Sequence, residues 1–155
     1  MHLGEIRIID GHLKANYEAM IEAIDATDEA IVIFPQYALT GLYVGNRFES
    51  PSFVEDVLYY NDLLRLYCKS KTIIFGTLVG TVGDLSPVLL SYKNGQVYQE
   101  AIYKPELNHF EKMYFTTKPS LQQITLDDKV WDVAFTQDQA DENTIVFGYD
   151  VFDKN

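Results

Sequence analysis

Cys68 is the only cysteine in this 155-residue chain. A lone thiol excludes a disulfide framework within the chain and a thiolate-rich metal site. Histidine is scarce too. His2, His12 and His109 are scattered without ligand spacing, so neither a structural zinc nor any cofactor is expected. Basic residues are few: 12 Lys and Arg stand against 23 Asp and Glu, a formal net charge of −11. That field repels phosphate backbones and anionic lipid, which argues against a nucleic-acid or membrane-surface role. No apolar run approaches the roughly 20 residues needed to cross a bilayer. The opening residues 1–7 lack the basic-then-apolar layout of a signal peptide, so a cytoplasmic location is the expectation. Internal repeats, low-complexity tracts and linkers are also missing, and residues 1–155 are read as a single domain.

Apolar and aromatic residues, by contrast, are plentiful. An apolar fraction of 47%, with 11 Tyr and 9 Phe, supports a packed globule. Residues 2–9 read as a strand and residues 14–25 as an amphipathic helix. The short apolar run 30–34 suits a strand covered on both faces. Ser52, with Glu55 three residues on, reads as the capping box of a second helix running to about Cys68. Strands are expected at 72–79, 87–92 and 96–103, the last two joined by a hairpin at Asn94-Gly95. A second hairpin should turn at Asp127-Asp128 between 121–126 and 129–135, followed by a strand at 144–147. The order of elements predicts an α+β fold, a mixed β-sheet with the two helices packed on one face.

One segment carries chemistry in a peculiar way. The apolar run 31–34 stops at Pro35 and presents Gln36 before a Thr40-Gly41 turn. A catalytic site at the end of such a strand would want a carboxylate at position 36, able to take up a proton. An amide cannot do so at ordinary pH.

Three segments resemble the nitrilase (carbon–nitrogen hydrolase) superfamily, with the nearest likeness to the glutamine-hydrolysing domain of glutamine-dependent NAD synthetases. The first is Phe34-Pro35-Gln36-Tyr37-Ala38-Leu39-Thr40-Gly41-Leu42-Tyr43. The second joins Tyr103-Lys104-Pro105-Glu106-Leu107 to Phe110-Glu111-Lys112-Met113-Tyr114-Phe115. The third is Val133-Ala134-Phe135-Thr136-Gln137-Asp138, where the family has a strand ending in its cysteine. Together they span residues 3 to about 138. The resemblance implies a four-layer α-β-β-α sandwich and a glutamate–lysine–cysteine triad, whose thiolate attacks an amide or nitrile carbon and releases ammonia. Position by position, the glutamate corresponds to Gln36, the lysine to Lys104, the cysteine to Thr136 and an accessory glutamate to Glu111.

Two of the three triad positions are thereby replaced. Glutamine keeps the shape of glutamate but does not titrate, and a threonine hydroxyl is far less acidic than a thiol and needs an adjacent base. Nucleophile and base act as a unit, so losing both should abolish the covalent route. Cys68 lies in the second helical pattern beside Leu64 and Leu66, where it reads as a small buried hydrophobe. The family's domains are also longer. The second half of the sandwich is expected to be missing, leaving strand edges and one sheet face bare. A catalytically inactive nitrilase-like binding or assembly module is the resulting expectation. Its partner would be a second copy or another protein covering the exposed sheet face, with part of the aromatic set Tyr43, Phe48, Phe53, Tyr59, Tyr60 and Tyr67 at the interface. The rivals are an amidase or glutaminase supplying ammonia to an NAD synthetase-type partner, using Lys104, Glu111 and Thr136, and a small-ligand sensor.

Overall fold

The computed structural model describes residues 1–148 of the protein. In chain order the elements are β1 (His2–Leu3), α1 (Leu13–Asp25), β2 (Ile31–Ile33), α2 (Pro51–Tyr67), β3 (Thr72–Thr81), β4 (Asp84–Lys93), β5 (Gln96–Tyr103), β6 (Gln123–Leu126), β7 (Lys129–Ala134) and β8 (Thr144–Val146). Strands β1 to β5 form one sheet in that spatial order, parallel from β1 to β3 and antiparallel from β3 to β5. A second sheet, β6-β7-β8, pairs β6 to β7 antiparallel and β7 to β8 parallel. The class is α+β, as expected.

Period-two alternation divides the interior into two cores. Val32, Phe34, Ile73 and Phe75 face the helices, where they meet Met20 and Ile24 of α1 and Val54, Val57 and Leu64 of α2. Ile31, Ile33, Ile74, Leu89 and Ile102 point the opposite way and pack on Ile124, Leu126, Val133, Ile145 and Phe147. Strands β2 and β3 read as unbroken apolar runs because both of their faces are covered. Where a bare sheet face is expected, the chain's own small sheet covers Ile31, Ile33, Ile74, Leu89 and Ile102, while most of β5 stays at least partly exposed. The described residues build three layers: a helix pair, a large sheet and a small sheet. With Ile124 and Leu126 turned inward, β6 and β7 direct Gln123, Thr125, Val130 and Asp132 outward, and the Gln123 amide donates to Asp132 Oδ1 at 3.1 Å.

Both hairpins turn where the sequence placed them. Asn94 sits at φ 55°, and Asp127 and Asp128 at 49° and 64°, the left-handed backbone of tight two-residue turns. Two expectations need correction. The strand predicted over 2–9 stops at Leu3, and Gly4 makes a last bond to the Ile33 carbonyl at 2.7 Å before the chain leaves the sheet. Helix α2 begins at Pro51, with Ser50 at the N-cap, so Ser52 lies inside the first turn and no Ser52–Glu55 capping box forms. Pro51 decides this: its fixed φ suits the first helical position, which places the cap at Ser50, two residues before Ser52.

The outer edge of β5, the last strand of the large sheet, is fastened by side chains. Ser120 Oγ accepts from the Tyr103 N–H at 2.8 Å, and the Gln122 amide donates to the Tyr103 carbonyl at 2.8 Å. Further along, the Gln99 amide donates to the Gln123 carbonyl at 2.7 Å and the Tyr98 hydroxyl to the Thr125 carbonyl. These bonds tie the two sheets together along one side. Among the described residues, no helix is long and apolar enough to cross a membrane.

Candidate functional site

The turn after β2 sets the first wall of the site. Gly76 of β3 lies so close beneath it that a Cβ there would stand 2.2 Å from Gln36 Cα and 2.4 Å from the Pro35 carbonyl oxygen. Only glycine fits, and its N–H bonds the Pro35 carbonyl at 3.0 Å. Gln36 is further pinned by its own N–H to the Phe147 carbonyl at 2.8 Å, just past β8. Tyr37 follows at φ 57°, an uncommon conformation for a side chain of its bulk. The turn closes at Gly41, φ 69°, whose missing Cβ leaves room for the backbone of Asp10. Asn16 of α1, fully buried, braces the same segment. Its side chain accepts from the Ile9 N–H at 2.8 Å and donates to the carbonyls of Ile9 and Leu39, each at 2.9 Å.

Glu111 is the centre of the site. It is completely buried, and its Oε2 accepts from Lys104 Nζ at 2.7 Å and from the Tyr37 hydroxyl. Oε1 accepts from the Asn108 N–H at 2.9 Å, and Asn108 Oδ1 in return accepts from the Glu111 N–H at 2.8 Å. This reciprocal pair is a capping box, absent at Ser52 and present here. The spacing Asn108-x-x-Glu111 could have revealed it. Three of the roughly four acceptor positions of the carboxylate are thus filled. The Lys104 ammonium also lies 5.8 Å from the centre of the Tyr37 ring. Burial first, and then the neighbouring Glu111 charge, hold the Tyr37 phenol well above its ordinary pKa.

Lys104, Glu111 and Thr136 line one cleft of about 370 Å³, together with Leu107, Asn108, Phe135 and Asp138. Three of the four residues singled out in the sequence therefore converge. Gln36 does not line the cleft. Its amide nitrogen reaches only the Phe135 carbonyl, at 3.5 Å, and its Oε1 is buried with no hydrogen-bond partner among the described residues. Thr136 is exposed at the cleft mouth in extended backbone, followed by a single 3₁₀ turn, Gln137–Gln139. Cys68 is buried, its thiol facing the Arg65 carbonyl at 3.1 Å, remote in sequence from every cleft residue. Tyr37 and Asn108 are the site residues that the sequence reading missed. Tyr37 carried no signal beyond standing next to Gln36. Among the described residues no group of three or more His, Cys, Asp or Glu is placed to hold a metal ion.

The aromatic set divides. Phe48 is buried against Phe53, Tyr114 and Phe115, whereas Tyr43 and Tyr59 are 64% and 59% exposed.

No protein-family model and no curated protein matches this chain. Solved structures do. The chain is similar to the glutamine-dependent NAD+ synthetase from Acinetobacter baumannii, solved in complex with adenosine diphosphate, with a TM-score of 0.70 and 18% identity over 83% of this chain and 26% of that one. The glutamine-dependent NAD+ synthetase from Cytophaga hutchinsonii gives a TM-score of 0.72 and 16% identity over 83% and 26%. A mutant of the Nesterenkonia AN1 amidase from the nitrilase superfamily gives a TM-score of 0.73 and 13% identity over 86% and 54%. At such identities the likeness establishes the fold, which is nitrilase-like. The chain spans about a quarter of the length of the synthetases and about half that of the amidase.

Proposed function

We propose that this nitrilase-like chain has lost the hydrolytic reaction and acts by binding. The observation that carries the reading is the chemistry of the cleft: where the family resemblance calls for a thiol, Thr136 offers an alcohol. A glutamate-to-glutamine mutant of the Nesterenkonia amidase still shows covalent addition at its active-site cysteine. The missing sulfur is therefore a stronger reason for inactivity than the amide at Gln36. Among the described residues, no side chain hydrogen-bonds the Thr136 hydroxyl as a base would. The Glu111 carboxylate is occupied by Tyr37, Lys104 and Asn108, and a hydroxyl without an adjacent base is a poor nucleophile. The same occupancy speaks against an amidase or glutaminase working through Lys104 and Glu111 with water.

In this reading the buried Lys104–Glu111 pair is retained for architecture. The partner is a second copy or another protein. Because the small sheet covers the apolar centre of the large one, a dimer joining two large sheets face to face lacks its apolar surface. Contact falls instead to the outer face of the small sheet or to the helix layer.

The decisive experiment is ammonia release from glutamine, asparagine and acetamide. The unmodified protein is expected to release none. A double variant, Gln36→Glu with Thr136→Cys, is expected to stay inactive because the Gln36 side chain does not open onto the cleft. Sustained turnover by the unmodified protein would remove this reading in favour of a glutaminase or amidase. A thermal-shift screen with glutamine, asparagine and adenine nucleotides separates a ligand sensor from a scaffold, since a ligand that prefers the folded state raises the melting temperature.

A further inference from the structure

The face of α1 and α2 away from the cleft carries four tyrosines, Tyr17, Tyr59, Tyr60 and Tyr67, each at least partly open to solvent. Tyr17 and Tyr60 stand with ring centroids 5.1 Å apart across the two helices, and Tyr59 meets Tyr60 at 5.4 Å. Tyr67 donates its hydroxyl to Asp25 of α1. The rings of Tyr17, Tyr60 and Tyr67 rest partly on the core, which fixes them as a platform. Beside them runs an open groove of about 610 Å³ along α1, lined by Tyr17, Glu18, Ile21, Glu22, Asp25 and Ala26. At the ~1.5 Å rise of a helix, the ten residues from 17 to 26 present a stripe of about 14 Å.

Charge selects the occupant. The cations nearest this face are already engaged. Lys14 pairs with Glu18 at 3.9 Å, and Arg65 donates to the Gly95 carbonyl at 2.7 Å. Lys71 turns its ammonium into the carbonyls of Ile24 and Thr27. Glu22 and Asp56 make no ion pair among the described residues. One cation shows what the tyrosines accept: Lys69 Nζ lies 5.5 Å from the centre of the Tyr67 ring. A second copy of this chain, at −11 and with the same carboxylates on the same face, would be repelled.

We propose that the α1–α2 face docks a lysine- or arginine-rich helical segment of a partner protein, its cations seated between the tyrosine rings and the Glu18, Glu22 and Asp25 carboxylates. The proposal rests on the reading that the chain acts by binding, and it names the chemistry of what is bound.

The test uses the full chain and a synthetic helical peptide carrying lysine at every third and fourth position, followed by fluorescence anisotropy at low and high salt. Glu18→Gln with Glu22→Gln alters two exposed side chains and leaves the fold intact. Asp127→Asn with Asp128→Asn removes the same charge at the distant hairpin. The groove pair is expected to weaken binding about fivefold or more, and the hairpin pair less than about twofold. Tyr59→Ser, at a mostly exposed ring, is expected to weaken binding about threefold. Equal losses from the two charge pairs would reduce the effect to net charge and overturn the proposal, as would a peptide that does not bind the unmodified chain. Ammonia release is scored separately. A chain that hydrolyses glutamine but holds the peptide here loses the inactive reading and keeps this face. A chain that does neither loses this face alone.

Discussion

Lys104 and Glu111 meet at 2.7 Å inside the protein, with the lysine side chain 11% exposed and the glutamate fully buried. The pair is no surface ornament. Removing one partner leaves the other charged and unpaired, at a cost of about 3–5 kcal/mol. Glu111→Gln also weakens the bonds to Tyr37 and Asn108. It should be the more damaging change, and Lys104→Met the milder, since the carboxylate keeps two donors. Urea unfolding midpoints of the two variants check the order.

Alkaline stability should depend on Tyr37. Its folded pKa is raised, so above the ordinary tyrosine value of about 10 the folded chain holds a proton that the unfolded chain has released. Stability is then complete below about pH 10 and falls as pH climbs past it. Tyr92, pushed up to about 12 mainly by burial, adds to the same slope. Tyr37→Phe should cost about 1–2 kcal/mol near neutrality through the lost bond to Glu111 and should flatten the decline above pH 10. Thermal melts from pH 8 to 12 would show an unchanged slope if the assignment is wrong.

Gly76→Ala should be among the most harmful single substitutions in the protein. The added carbon meets backbone atoms of Pro35, Gln36 and Tyr37, which have no side-chain freedom with which to yield. A cost of about 3 kcal/mol or more is expected, read from a chemical denaturation curve.

Asn16 separates a bonding role from a packing role. Asn16→Ala strands the Ile9 N–H and the carbonyls of Ile9 and Leu39, worth about 2–3 kcal/mol. Asn16→Asp should be worse, because a carboxylate can still accept from Ile9 but places its charge against two carbonyls it cannot serve. If the aspartate variant proves as stable as the native protein, the amide is not the brace described above.

Much of the large sheet and both hairpins could be read from apolar alternation and from Asn94-Gly95 and Asp127-Asp128, because those signals are local. Lys104, Glu111 and Thr136 are grouped in the sequence by resemblance alone, and all three line one cleft. Gln36, the position matched to the family's glutamate, does not line the cleft; its backbone is tied to Phe147, a contact more than a hundred residues away that no local pattern reveals. The small sheet's position failed for the same reason. Its strands were foreseen, yet their packing on Ile31, Ile33 and Ile74 is a long-range choice. Ser52 carries a cap motif, but Pro51 beside it claims the first helical position and leaves the cap to Ser50.

The fastening along β5 has a consequence for how this protein behaves when crowded. An unprotected rim of backbone donors and acceptors is a template on which neighbouring molecules add strands and grow into fibres. Here Ser120 and Gln122 occupy the N–H and carbonyl of Tyr103, while Gln99 and Tyr98 occupy the carbonyls of Gln123 and Thr125 on β6, so an incoming strand would first have to displace them. Stray polymerisation is thereby discouraged on that flank, and changes that free the seam, such as loss of Gln122, would open it to an added strand.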